Sequence, residues 1–169
     1  MKLNLGCGNK RREGFIGVDR YPCDAVDILA NLEERLPFEA DSVTEILLDN
    51  VIEHIQDIPS LMKELHRISR PGCEISIITP HFANMSSWVD PTHVHHLSYF
   101  SMEHFEKPEV AHYTGGGFKI KMKHLSFGGL LGNIGRFIFT INARIYEKSW
   151  CFIFRPSTLY FILKVQKLN

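Results

Sequence analysis

Leu3-Asn4-Leu5-Gly6-Cys7-Gly8-Asn9 sets two glycines immediately behind a short, strand-like apolar run. Lacking side chains, these positions let the backbone turn sharply and approach a ligand closely. Such a turn also occurs in proteins that bind nothing there, so the next acid matters. Asp19 closes a second apolar run, residues 15–18, and a carboxylate in that place can accept hydrogen bonds from both vicinal hydroxyls of a ribose. Phosphates fit less well. A dinucleotide loop of the Gly-x-Gly-x-x-Gly kind needs a third glycine where Arg11 stands, and residues 6–14 are too short a connection for the helix whose positive end would face a pyrophosphate. The phosphate-binding pattern Gly-x-x-x-x-Gly-Lys-Ser/Thr is also missing. A nucleoside cofactor without phosphates suits the loop better.

Working outward, short runs rich in β-branched or aromatic residues predict strands at 2–5, 15–18, 26–29, 44–48 and 74–79. Residues 59–70 predict a helix with Leu61, Met62, Leu65 and Ile68 on one face, stopped by Arg70-Pro71-Gly72. Alternation returns at 118–126. Leu130, Ile134, Phe137, Ile138, Ile141 and Ile145 follow at helical spacing, and 158–165 is again strand-like. Strands alternating with helices imply an α/β fold with a mostly parallel sheet, in one domain spanning 1–169. The apolar face near the C-terminus is expected to cover that sheet; contact with a membrane surface or with a second copy in a homodimer are its alternatives.

Nineteen basic residues balance nineteen acidic ones without basic runs, so nucleic acid is not an expected partner. Cys7, Cys23, Cys73 and Cys151 form no Cys-x-x-Cys pair and read as reduced thiols of a cytoplasmic protein. No signal-peptide succession opens the chain, and charges interrupt every apolar stretch before it could span a bilayer.

Leu5-Gly6-Cys7-Gly8, Asp19, Leu36-Pro37-Phe38 before Asp41-Ser42-Val43, Asn50-Val51-Ile52-Glu53-His54, and Leu65-His66-Arg67-Ile68-Ser69-Arg70-Pro71-Gly72 occur in that order. Together they resemble the seven-strand, class I S-adenosylmethionine-dependent methyltransferases, nearest the small type-11-like subgroup with a shortened first helix. The resemblance implies a three-layer, Rossmann-like, doubly wound sheet of order 3-2-1-4-5-7-6 with the last strand antiparallel. It implies S-adenosyl-L-methionine as cofactor, with Leu5, Gly6, Cys7 and Gly8 forming its loop and Asp19 holding its ribose. Asn31 and Leu32 fall where the family contacts adenine, and Asn50 where it meets the methionine portion. Two departures are Asn31, often Asp in the family, and Asn4, where many relatives carry an acid. Independently, Gly6, Asp19, Asn31, Asn50 and His81 all follow strands, so a parallel sheet gathers them at one edge, where ligands of open α/β folds bind.

Methyl transfer to a hydroxyl needs a base. His81, or His93 oriented by Asp90, is the expected one, since both lie beyond the fifth strand. Asp90-x-x-His93-x-His95-His96 could instead ligate a divalent metal, or Asp90 could merely cap a turn; no metal is assigned, and Glu53 and His54 are read as structural. The expected reaction is methylation at O or N of a small molecule or a cell-surface glycan sugar. The alternative is a nucleoside-binding regulatory or partner subunit of the same fold without catalysis.

Overall fold

The computed structural model describes residues 1–167. Seven strands form one sheet in the order β3-β2-β1-β4-β5-β7-β6. They are β1 (Lys2–Leu5), β2 (Ile16–Asp19), β3 (Ile28–Leu29), β4 (Val43–Asp49), β5 (Ser69–Pro80), β6 (Phe118–Phe127) and β7 (Pro156–Val165). The first five pair in parallel, while β7 runs antiparallel to both β5 and β6. This is the doubly wound sheet expected from the resemblance. Leu3, Leu5, Ile46, Leu48, Ile75 and Ile77 are fully enclosed in its central strands, because a parallel strand is covered on both faces.

The helices are α1 (Ile58–Ile68), α2 (Ser86–Val89), α3 (Ala111–Thr114), α4 (Gly129–Ile141) and α5 (Ala143–Ser149). α1 begins at Ile58 because Asp57 accepts the Ser60 amide at 2.9 Å, capping the first turn. It buries Ile58, Leu61, Met62, Leu65 and Ile68, each worth roughly 1.5–3 kcal/mol on leaving water.

Four expectations need correction. The run at 26–29 is a strand only at Ile28–Leu29, because Asp27 folds its carboxylate back onto the Gly17 amide at 2.8 Å. Residues 70–72 do not merely stop α1; they already belong to β5, with Gly72 at φ 83° where the ladder slips register. The helix expected over 130–145 is two helices, broken where extended Asn142 caps α5 by accepting the Ile145 amide at 3.0 Å. More consequentially, α4 is turned over: Gly132 and Gly135 are its buried residues, while Leu130, Ile134, Phe137 and Ile141 face outward. Glycine decides this, because a Cβ on Gly135 would stand 2.7 Å from the Phe154 carbonyl oxygen. Among the described residues no helix is long and apolar enough to cross a membrane.

Candidate functional site

Because β1 to β5 are parallel, the loops after β1, β2, β3 and β4 meet at one sheet edge. They enclose a cavity of about 720 Å³ whose walls include Gly6, Asp19, Asn31, Leu32, Asn50 and His54. That size and setting suit a nucleoside-sized ligand.

Gly6 and Gly8 turn at φ 64° and 50°, and no helix separates β1 from β2. A Cβ on Gly6 would fall 2.6 Å from Val51 Cγ2, whereas the space beside Gly8 is open. Asp19 anchors the turn: Oδ2 accepts from the Gly8 amide at 2.9 Å and Oδ1 from the Tyr21 amide at 3.0 Å. Each oxygen keeps a second lone pair for a ligand. Asn4 holds the turn as an amide, donating to the Lys10 carbonyl at 2.9 Å, a bond that an ionised acid in that place could not make. Leu5 and Cys7 point into the core, so only their backbone belongs to the loop. Burial pushes the Cys7 thiol up, with the nearby Asp19 charge adding to the shift.

Asn31 lines the cavity, yet its amide is engaged locally, donating to Glu34 Oε1 at 2.9 Å and accepting from the Glu33 amide at 3.1 Å. Leu32 supplies an apolar wall beside it. Asn50 closes β4 in the left-handed region, φ 56°, a conformation that Asn tolerates better than most residues. Its side chain donates to Asp49 Oδ1 at 2.7 Å. These donors and acceptors, the open space at Gly8 and the free lone pairs of Asp19 fit an adenosine cofactor.

The histidines divide. His81 is fully buried and both ring nitrogens are committed: Nδ1 accepts the Ala83 amide at 3.0 Å and Nε2 meets Glu147 Oε1 at 2.8 Å. It lies outside the cavity wall and ties α5 to the end of β5. His96 stacks on Trp88 with ring centres 3.5 Å apart, and His95 Nε2 reaches the Gln56 carbonyl at 3.2 Å. The three therefore scatter rather than forming a ligand set with Asp90.

His93 behaves differently. Its Nδ1 donates to the Ser87 carbonyl at 3.1 Å, and its Nε2 lies 4.0 Å from Glu53 Oε1 and 4.0 Å from Asp90 Oδ2. His54, on the cavity wall, packs edge-on against it at 4.6 Å, and its Nδ1 meets Thr92 Oγ1 at 2.9 Å. Asp90 also caps the turn, accepting the Thr92 amide and hydroxyl at 2.8 and 2.6 Å, which holds its carboxyl below the usual range.

Glu53, which the sequence reads as structural, is a further candidate site residue. It is buried, Oε2 accepts from Thr79 at 3.0 Å, and Oε1 has no partner. Burial pushes its carboxyl up despite those hydrogen bonds. One atom each of Glu53, His54 and His93 lie within 4.8 Å of one another, a spacing that could close round a divalent ion. The sequence signal was an acid inside the apolar run Val51-Ile52-Glu53-His54-Ile55.

The sheet order is the one found in solved S-adenosylmethionine-dependent methyltransferases, and the similarity to those structures bears out the fold. A methyltransferase from Mesorhizobium loti is 16% identical, with 96% of this chain and 89% of that chain covered at a TM-score of 0.60. One from Archaeoglobus fulgidus is 18% identical, covering 96% and 84% at 0.64. A Haloferax volcanii putative methyltransferase, solved with the Trm112 methyltransferase activator, is 14% identical, covering 98% and 82% at 0.57. Residues 7–77 match the model of a methyltransferase domain family. No curated protein matches the chain.

Proposed function

We propose that the chain, acting as a single cytoplasmic domain of residues 1–169, methylates an oxygen or nitrogen of a small molecule or of a glycan sugar. The observation that carries this reading is one cavity reaching from the Gly6 turn and Asp19 to His54, with His93 directly behind His54. Bound S-adenosylmethionine supplies a methyl group that its sulfonium already makes electrophilic. The protein's share is to orient and to move a proton.

Asp19 would offer its remaining lone pairs to the ribose hydroxyls, Leu32 would hold the adenine, and the Gly6 and Asn50 backbone would hold the methionine portion. Asn31 contributes through its backbone or after giving up Glu34, since its amide is otherwise engaged. Acceptor deprotonation falls to the His54 and His93 pair. Because the His93 Nδ1 hydrogen is held by Ser87, Nε2 carries the lone pair, and the imidazolium formed there faces the carboxylates of Glu53 and Asp90. His81, with both nitrogens engaged, positions α5 instead.

Incubation with methyl-labelled S-adenosylmethionine and pools of hydroxylated and amine acceptors tests this directly. Label should move to an acceptor; tight binding without transfer to any pool would favour a non-catalytic partner subunit. A chelator added to the same assay separates a proton-relay role of Glu53, His54 and His93 from a metal-holding one, since only the latter loses turnover.

A further inference from the structure

The segment 128–155 leaves β6 at Phe127 and returns to β7 at Pro156, residues that pair with each other. β6 is parallel to β5, so the segment hangs at the same sheet edge as Pro80 and the cavity. Its helix α4 is amphipathic in the unusual sense. Gly132 and Gly135 pack on Phe127 and Phe154, while Leu130, Ile134, Phe137 and Ile141, spaced i, i+4, i+7 and i+11, point away from the body. These four are 83%, 44%, 67% and 71% exposed. A helix already seated on the sheet by its other face has no use for this stripe inside the fold.

The apolar surface continues. Phe152 and Ile153 are exposed beyond α5, Phe82 meets Phe152 edge-on at 5.6 Å, and Trp88 donates to the Phe82 carbonyl at 2.7 Å. Met85, Trp88 and Val89 thereby extend the patch to the loop that carries His93. Its charge is one-sided: Arg136, Lys148 and Arg155 are exposed in the segment, while Arg144, also exposed, faces Glu103 at 3.6 Å. The one acid there, Glu147, is turned inward onto His81 and the Tyr99 amide.

We infer that this face docks on the surface of an anionic lipid bilayer, with the α4 stripe, Phe152 and Ile153 entering the headgroup boundary and Arg136, Lys148 and Arg155 meeting lipid phosphates. A second copy fits less well, because a two-fold contact through the same patch would set these cations against themselves. Docking does not depend on the catalytic reading. Its consequence does: resting on the proposed methyl transfer, it makes the acceptor an amphiphile whose reactive group sits at headgroup depth.

Flotation of the full chain with vesicles tests it. Vesicles of phosphatidylcholine plus phosphatidylglycerol should bind the protein at least about tenfold more tightly than phosphatidylcholine alone, and added salt should weaken the binding. The combined Leu130→Ser, Phe137→Ser and Ile141→Ser variant should lose about tenfold or more of that binding while melting like the parent and titrating S-adenosylhomocysteine like the parent. No vesicle binding, equal binding to neutral and anionic vesicles, or unchanged binding of the variant overturns the inference. So does a dimer that the triple variant dissociates, which would assign the stripe to a second copy. Vesicle binding without any S-adenosylhomocysteine binding would instead overturn the proposed function and leave docking standing.

Discussion

At Asp19 one carboxylate holds the glycine turn through the Gly8 amide, and the proposed function gives its remaining lone pairs to a ribose. Asp19→Ala should therefore weaken S-adenosylhomocysteine binding by roughly 1.5–3 kcal/mol, the worth of hydrogen bonds to a charged group. Calorimetry reads this directly, and an unmoved affinity removes Asp19 from the site. His93→Ala should lower turnover by about 10²-fold or more while leaving cofactor affinity nearly intact. Single-turnover rates set beside a binding titration separate the two, and unchanged turnover excludes His93. The glycine turn and Asp19 were legible because spacing along the chain fixes them to the ends of adjacent strands. His81 follows β5, which places its backbone at the expected edge, but its side chain turns inward onto Glu147, 66 residues away, a direction that spacing along the chain does not encode. Glu53 was passed over because its neighbours read as the start of a helix.

Between β6 and β7 the two faces of α4 compete for the sheet. The apolar stripe alone argues for burial of Leu130, Ile134, Phe137 and Ile141, and hydrophobic periodicity cannot tell which side meets the protein. Gly132 and Gly135, three apart, were the opposing signal, since a close helix approach needs missing side chains. Gly135→Leu should destabilise the fold by about 1–3 kcal/mol through overpacking against Phe154, while Phe137→Ser should stay within about 0.5 kcal/mol. Urea unfolding of both variants checks the orientation; reversed magnitudes would place the apolar stripe inward. The sheet strands were easier to read, because buried parallel strands announce themselves as short apolar runs. Residues 26–27 failed, where the Asp27 carboxylate takes the Gly17 amide, as did 70–72, which open β5 instead of stopping α1.

Across the whole molecule, a seven-strand order was readable from five motifs in sequence, but the electrostatics of the site were not. Glu53 is the example. Its carboxyl is pushed up, first by burial, so between the ordinary carboxylate value of about 4.3 and the raised native value the folded chain binds the extra proton. Stability from this group thus falls as pH rises through that window and stays lowered above it. Glu53→Gln should gain stability relative to the parent on going from pH 4 to pH 8, as measured by denaturant unfolding at both values. A difference that does not change with pH would mean that Glu53 is not perturbed as described.

The most direct test of the methyltransferase assignment is a calorimetric titration of the parent chain with S-adenosylhomocysteine, followed by the same titration of Asp19→Ala. Saturable one-to-one binding in the micromolar range, weakened at least about tenfold by the substitution, is the predicted result. No binding by the parent at millimolar ligand, or equal binding by both proteins, would contradict it.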